Sequence, residues 1–143
     1  MIYDTGIYVP IIYSDRICTV YETGVVKKAL RHYLGAYTLN CKKPVEIHWS
    51  KSDTGEHGVV ACSTRRIGVD IETMKPRRYE AISRRYFREA TDDKEIFYNL
   101  WCQKEAYTKW KKGKIAHNLK ADIDRRLIPL EGLPNDVVGY ICY

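Results

Sequence analysis

Apolar residues recur with two different periods along this chain, one typical of strands and one typical of helices. Residues 7–13 are rich in β-branched and aromatic side chains and are interrupted by Pro10, which predicts an edge strand or two short strands. A helix is predicted next, with Thr23 as its N-cap and Gly35 as its terminator. The apolar residues that recur at helical spacing between them are Val26, Ala29, Leu30, Tyr33 and Leu34.

Three further segments have the composition of strands, at residues 45–49, 58–62 and 67–71. Polar loops are predicted between them, at residues 51–57 and 63–66. We expect the three strands, separated in this way, to form an antiparallel meander.

Two helices and a final strand are predicted in the remaining part of the chain. A basic helix follows Pro76, with an apolar stripe at Tyr79, Ile82 and Tyr86. The next helix is the best marked, because Asp92 is placed to cap it and Glu95 completes a capping-box-like pair. Gly113 is expected to end this helix, and the apolar residues 137–142 predict a strand.

These elements predict an α+β fold in which antiparallel strands pack against helices. The 143 residues fit one compact domain, in which we expect 1–66 to form an N-terminal half and 67–143 a C-terminal half. With 45% hydrophobic and 29% charged residues, the chain has enough apolar surface to fold, which argues against intrinsic disorder.

Several features predict a cytoplasmic protein that does not span a membrane. No apolar run approaches the roughly 20 residues that cross a bilayer, and Asp4 lies where a signal peptide would be basic. The five cysteines are dispersed and contain no CxxC pair, so we expect small buried side chains in a reducing compartment.

The formal net charge of +6 predicts attraction to polyanions, whether nucleic acid, anionic lipid, phosphorylated small molecules or an acidic protein. Charge alone does not choose between these classes. Each basic cluster also fits the solvated face of a helix, since a surface helix needs a polar side.

Four side chains are candidates for metal or phosphate chemistry. Asp70 and Glu72 lie two residues apart on an otherwise apolar strand, so both carboxylates should project from the same face. Glu105 and Lys109 lie four residues apart on the best-marked helix and are therefore neighbours. Carboxylates brought together repel unless a cation lies between them, and Mg²⁺ prefers oxygen ligands. From the spacing alone, an exposed strand face and an ordinary surface helix pair explain these residues better than a metal site does.

Two strings in the sequence resemble the paired signature of the 4′-phosphopantetheinyl transferases. This family has (V/I)-G-(V/I)-D followed by (W/F)-x-x-K-E-(A/S)-x-x-K, and residues 67–70 and 101–109 match both parts. Upstream, residues 43–44 resemble the family's Lys-Pro step, and residues 47–52 resemble its N-x-S-H-S segment. The resemblance runs over residues 43–114, about half of the chain.

The position of Asp70 near the middle of the chain resembles the surfactin-synthetase-activating (Sfp) type of this family. This resemblance implies a pseudodimer of two similar α+β halves that bind coenzyme A in the cleft between them. Because the chain is much shorter than usual members of that type, we expect both halves to be trimmed.

The resemblance also implies the roles of individual residues. Asp70, Glu72 and Glu105 would hold Mg²⁺ against the coenzyme A pyrophosphate, with Asp70, Glu105 and Lys109 as the catalytic set. Glu105 is the first candidate for the base that accepts the substrate's hydroxyl proton, and Trp101 is expected to pack under the site. Lys51 lies at the position of a histidine that meets the 3′-phosphate, whereas Lys104 could touch phosphate or reach solvent. The residues implied to contact the coenzyme A phosphates are Lys43, Ser50, Lys51, Lys104 and Lys109.

The implied activity is that of a holo-[carrier-protein] synthase. It would transfer 4′-phosphopantetheine from coenzyme A to a serine of an apo acyl or peptidyl carrier protein, with Mg²⁺, and release 3′,5′-ADP. We expect a monomer or small homo-oligomer, with Arg84, Arg85 and Arg88 as docking residues for the acidic carrier.

Two alternatives remain open from the sequence. One is a catalytically weak protein that binds coenzyme A or a carrier, and the other is a basic nucleic-acid-binding module. The second would use aromatic residues among the basic helices, namely Tyr79, Tyr86, Tyr107 and Trp110.

Overall fold

The computed structural model describes residues 9–14, 17–23, 48–63 and 65–143. The helix predicted after Thr23 and the predicted phosphate ligand Lys43 lie outside these ranges. Within them, two antiparallel sheets pack with helices, which confirms the predicted α+β class.

The first sheet has the strand order β1-β2-β4-β3. Its strands are β1 (Val9–Ser14), β2 (Ile17–Thr23), β3 (His48–Thr54) and β4 (His57–Ser63). The edge strand predicted at residues 7–13 is confirmed as β1, and an edge position tolerates the missing N–H of Pro10. Strand β2 was not among the predicted elements.

Strand β3 continues through residues 51–54, which the sequence pattern had placed in a loop. Its inward hydroxyl groups make this polar segment a strand, because each accepts a hydrogen bond from a backbone N–H of the second sheet. The pairs are Ser50 with Val69 at 3.0 Å, Ser52 with Ile71 at 3.0 Å, and Thr54 with Thr73 at 3.1 Å. Both partners advance along the chain together, so the two strands run parallel.

The second sheet has the order β5-β7-β6, with strands β5 (Gly68–Thr73), β6 (Leu127–Pro129) and β7 (Val137–Cys142). The final strand predicted at residues 137–142 is therefore confirmed. The predicted meander is right for β3 and β4 but wrong for β5, which pairs with β7 instead of β4. The hydroxyl groups of β3 satisfy the β5 edge that faces the first sheet.

The helices of the described residues are α1 (Tyr79–Tyr86), α2 (Lys94–Lys111) and α3 (Ile115–Asn118). The cap of α2 is Asp93, whose Oδ1 accepts a hydrogen bond from the Ile96 N–H at 2.9 Å, so the prediction of Asp92 was wrong by one residue. The left-handed residue that ends α2 is Lys112. Gly113 follows it and donates its N–H to the Thr108 carbonyl at 3.1 Å.

Helix α2 lies across β5 and β7 and buries the residues between them. Cys102 and Ala106 of the helix are fully buried, as are Val69 and Ile141 of the two strands. Strand β5 thus has α2 on one face, β7 along one edge and β3 near the other, and this arrangement positions Asp70. None of the helices in the described ranges is long and apolar enough to cross a bilayer.

Candidate active site

Asp70 is the most buried of the candidate carboxylates, with 4% of its surface exposed. Its Oδ1 accepts hydrogen bonds from the Ser52 hydroxyl at 3.1 Å and from the Lys109 ammonium at 3.0 Å. Its Oδ2 is buried and has no hydrogen-bond partner among the described residues. Because buried polar atoms almost always have a partner, this oxygen marks a position where a cation or donor would be stabilised.

Glu72 and Glu105 form a group with Asp70 in which the charge of one carboxylate raises the pKa of another. Burial, followed by the charges of Asp70 and Glu105, raises the pKa of Glu72 to about 7, although a hydrogen bond from Trp101 opposes the rise. Burial, followed by the charge of Asp70, also raises the pKa of Glu105, and Lys109 opposes this. The pKa of Asp70 is raised by burial against the opposing charge of Lys109. The site therefore favours bound protons or cations.

The three carboxylates have the ligand atoms that a hard divalent cation prefers, but they are not arranged as a complete metal site. In the ranges that the structure describes, no group of three or more His, Cys, Asp or Glu side chains is arranged to hold a metal ion. The donor set of Asp70, Glu72 and Glu105 consists of the carboxylate oxygens that Mg²⁺ prefers. The unpaired Oδ2 of Asp70 supplies one such oxygen, so the residues fit this ion.

Lys109 connects the three elements that meet at the site. From the last turn of α2, its ammonium donates to Asp70 Oδ1 on β5 and, at 3.2 Å, to the Lys51 carbonyl on β3. Its charge partly neutralises the buried aspartate. The site thus contains its own cation, which lies beside the carboxylates that the sequence singled out.

Two of the residues implied to bind phosphate, Lys51 and Lys104, point away from the carboxylates. The Lys51 side chain is exposed and, by strand alternation, projects from the face of β3 opposite Ser50 and Ser52. Lys104 donates its ammonium to the Ala121 carbonyl. Burial lowers the pKa of Lys104, and the charges that act on it are those of Asp122, which opposes the shift, and Arg88. The structure therefore brings Lys109 to the carboxylates but directs the Lys104 ammonium to the loop after α3.

Helix geometry explains this difference between the two motif lysines. An α-helix turns about 100° per residue, so Lys109 lies about 40° from Glu105, whereas Lys104 lies about 140° from Lys109. Only the first pair shares a face of α2. This helix geometry, applied to the sequence without the structure, would already have separated Lys104 from Lys109.

Ser52 is a residue whose importance the sequence did not reveal. The residue is 8% exposed, and its hydroxyl donates to Asp70 Oδ1 and accepts from the Ile71 N–H. One side chain thus fixes both the backbone of β5 and the orientation of the carboxylate. The signal was present in the alternating hydroxyl residues Ser50, Ser52 and Thr54.

The remaining neighbours of Asp70 and Glu72 are structural side chains. Trp101 lies parallel to Phe97, with ring centres 6.1 Å apart, and its indole lowers the pKa of Glu72 against the larger effect of burial. Cys102 donates its thiol to the Asp70 carbonyl at 3.2 Å, and burial raises the pKa of this thiol well above its ordinary value. The prediction of buried, unbridged cysteines is confirmed for Cys62, Cys102 and Cys142.

The raised pKa of Glu72 predicts that the metal-free protein loses stability as the pH rises from about 4.5 to about 7. In this window the unfolded chain has released the Glu72 proton while the folded protein still holds it. The whole shift corresponds to about 3 kcal/mol, which solvent screening of this half-buried group reduces to about 1–2 kcal/mol. Urea unfolding in EDTA at a series of pH values measures the loss.

The Glu72→Gln variant is expected to remove this part of the pH dependence and to exceed the parent in stability at pH 8. Glu56→Gln, the same change at an exposed position, should leave the profile unchanged. Identical profiles for the parent and Glu72→Gln would show that Glu72 does not carry the effect.

Comparison with known proteins supports the interpretation of the two motifs. Residues 66–129 match the family described as the 4′-phosphopantetheinyl transferase superfamily. A 4′-phosphopantetheinyl transferase of Bacillus subtilis is 31% identical over 74 aligned residues, a match that covers 45% of this chain and 33% of that protein. The chain thus matches about a third of the length of this curated relative. The predicted resemblance to this family is confirmed over residues 66–129, where the chain is similar to the 4′-phosphopantetheinyl transferase superfamily.

Proposed function

We propose that this chain transfers the 4′-phosphopantetheine arm of coenzyme A to a serine hydroxyl of an apo acyl or peptidyl carrier protein. The reaction releases 3′,5′-ADP and makes the protein a holo-[carrier-protein] synthase. The observation that carries the proposal is the meeting of Asp70, Glu72, Glu105 and Lys109 where α2 crosses β5. This meeting lies within the residues that match the superfamily.

Asp70, Glu72 and Glu105 are the residues that would hold Mg²⁺. Bound there, the ion would neutralise the coenzyme A pyrophosphate and stabilise the charge that develops on the leaving group. Lys109 adds a second positive charge beside Asp70 and would contact the same phosphates. Ser52 keeps Asp70 in one orientation by bonding its Oδ1.

Glu105 is the proposed general base. The serine oxygen of the carrier attacks the β-phosphorus of coenzyme A, the phosphorus–oxygen bond to 3′,5′-ADP breaks, and the serine proton passes to Glu105. Burial and the charge of Asp70 raise the pKa of Glu105, so this carboxylate accepts a proton more readily than an exposed glutamate.

Ser50, Lys51 and Lys104 remain part of the proposed coenzyme A site, together with Lys43 outside the described residues. The Ser50 hydroxyl accepts from the Val69 N–H and still has its own hydrogen to donate to a phosphate oxygen. Lys51 and Lys104 would need to turn from their present directions to reach the same ligand. The phosphate contacts closest to the carboxylates are thus assigned to Lys109 and Ser50.

The proposed architecture is an Sfp-type pseudodimer in which coenzyme A lies between residues 1–66 and 67–143. In its support, the strands of the first sheet all precede residue 64, and those of the second all follow residue 67. The two sheets share a core that contains Val59, Ala61 and Ile71. The carboxylate site lies where β3 and β5 meet, as expected for a ligand between the halves.

An acidic carrier would find a basic surface at α1 and the segment that follows it. Arg84 and Arg85 lie in the last turn of α1 and are exposed, and Arg88 follows shortly after. Arg84 and Arg88 pair with Glu80 and Asp122, respectively, at the surface. Complementary charge would accelerate encounter with the carrier, and added salt would slow it.

The nucleic-acid alternative receives less support, because its aromatic residues are engaged within the protein. Tyr107 is 5% exposed, and Tyr79 packs on Phe97 with ring centres 5.3 Å apart. These contacts reduce the ring surface on which a base could stack.

The proposal is tested by incubating the chain with coenzyme A, Mg²⁺ and a panel of apo carrier proteins, and by measuring the intact mass of each carrier. We expect at least one carrier to gain one phosphopantetheine, and we expect EDTA to abolish the gain. Binding of coenzyme A without a mass gain on any carrier would favour the catalytically weak binder instead.

A further inference from the structure

A cavity of about 720 Å³ opens beside the end of α2 that is opposite its N-cap. It lies between the residues that precede β5 and those that precede β6. Its main lining side chains are Arg65, Arg66, Trp110, Asp124, Arg125 and Arg126. We call it the arginine pocket.

The arginines of this pocket are not neutralised by carboxylates. Within the described ranges, the ion pairs of arginine involve Arg84 and Arg88, and none involves the four arginines of the pocket. Asp124 accepts a hydrogen bond from the Tyr107 hydroxyl at 3.1 Å. The side chains around the cavity, that of Tyr143 included, carry four guanidinium groups and one carboxylate, which leaves three excess positive side-chain charges. Like charges held this close repel, and an anion would relieve the repulsion.

Trp110 holds two of these guanidinium groups in place. The Cζ atoms of Arg66 and Arg125 lie 4.9 and 4.3 Å from the centre of its ring. The ring in turn lies parallel to that of Tyr107, with centres 6.1 Å apart. A guanidinium group stacked in this way keeps its N–H edge available for an oxyanion, and its order reduces the entropy lost on binding.

We propose that the arginine pocket binds a phosphate-bearing small molecule with at least two phosphate groups. Arginine forks match phosphate oxygens in geometry and charge, and the excess of three charges matches a diphosphate better than a single phosphate. The volume lies within the range of about 300–1,000 Å³ that is typical of small-molecule sites. A ligand that depends on base stacking fits less well, because two guanidinium groups and Tyr107 already contact the Trp110 ring.

This inference goes beyond the proposed transfer reaction and does not depend on it. The carboxylate site has its own tryptophan, Trp101, which is close enough to Glu72 to act on its pKa against the effect of burial. The chain contains three tryptophans, so the indole signals of Trp49, Trp101 and Trp110 can report separately in one NMR spectrum. Substituting each in turn by phenylalanine assigns the signals.

The test is a titration of the ¹⁵N-labelled protein with inorganic pyrophosphate, in EDTA and about 0.15 M salt. We expect the Trp110 indole signal to shift and to saturate with a Kd below about 1 mM, while the Trp101 signal stays in place. A nucleoside diphosphate in a parallel titration distinguishes free diphosphate from a nucleotide as the source of the phosphate groups. A Trp110 signal that does not move with either probe would overturn the proposal.

Two double variants test whether pyrophosphate binds in the arginine pocket. Arg66→Gln with Arg125→Gln should weaken pyrophosphate binding at least about tenfold, because each removes a charge-assisted hydrogen-bond donor. Arg78→Gln with Lys94→Gln removes the same charge at exposed positions elsewhere and should leave the Kd unchanged. Equal weakening in both pairs would show attraction by net charge alone. Tighter binding of a single-stranded oligonucleotide than of pyrophosphate would replace the small molecule by nucleic acid.

Discussion

The Gly68→Ala variant is expected to lose about 3 kcal/mol or more of its free energy of unfolding, or to fail to fold. A Cβ atom at Gly68 would overlap the Ala106 carbonyl oxygen and lie 2.5 Å from the Trp110 backbone nitrogen. Both are backbone atoms of α2, so no side-chain rotation relieves the overlap. The whole helix would have to move away from β5, which would open the packing around Val69 and Ala106.

Urea unfolding measures this loss, and Gly113→Ala provides a control with the same chemical change. A Cβ atom at Gly113 would meet only the Asn118 side-chain nitrogen, at 3.4 Å, so its effect should stay within about 1 kcal/mol. If the free energy of unfolding of Gly68→Ala also lies within about 1 kcal/mol of the parent value, α2 does not approach β5 as closely as described. Since Asp70 lies two residues after Gly68, carrier modification should fall together with stability.

The elements that sequence patterns predicted best are those whose apolar face meets a single core. Helix α1 is of this kind, because Tyr79, Ile82 and Tyr86 all pack into one cluster. Strand β7 was predicted from its continuous apolar run, and its residues contribute to three clusters. The polar part of β3 was missed because its hydroxyl groups bond to a strand about 19 residues away, which periodicity cannot show. The pairing of β5 with β7 was missed for the same reason, since it joins residues far apart in the chain.

The residue types near the ends of a helix do not fix which residue begins or ends it. Asp92 and Asp93 carry identical side chains, and only the backbone decides that Asp93 caps α2. At the other end, glycine is the usual left-handed residue, yet Lys112 takes that conformation and Gly113 follows it. The helix was nevertheless placed correctly, because its apolar stripe extends over several turns.

The sequence predicted which charged residues meet at the site but not their environment. The two-residue spacing of Asp70 and Glu72 and the four-residue spacing of Glu105 and Lys109 follow from strand and helix geometry. The burial of Asp70 follows instead from the position of α2 across β5, which no local pattern contains. Ser52 belongs to the same category, because its role depends on β3 and β5 lying side by side.

The Glu105→Gln variant is expected to lower the rate of carrier modification at least about a hundredfold without loss of stability. Glutamine keeps the shape of the side chain but cannot accept the serine proton or carry the negative charge that would hold Mg²⁺. Because burial raises the pKa of Glu105, its ionised form is unfavourable in the folded protein, and the neutral amide should fold at least as well. We therefore expect this variant to lose catalytic rate and to keep its stability.

The measurement is the initial rate of mass gain on the carrier at saturating coenzyme A and Mg²⁺, with urea unfolding in parallel. Glu95→Gln is the matched control, since it makes the same change at an exposed position on the same helix and should retain the parent rate. A general base also predicts that the parent rate rises with pH until Glu105 is fully ionised, and that the variant lacks this rise. Turnover of Glu105→Gln near the parent rate with Mg²⁺ would remove Glu105 from the reaction, and the proton would then need another acceptor among the carboxylates at β5.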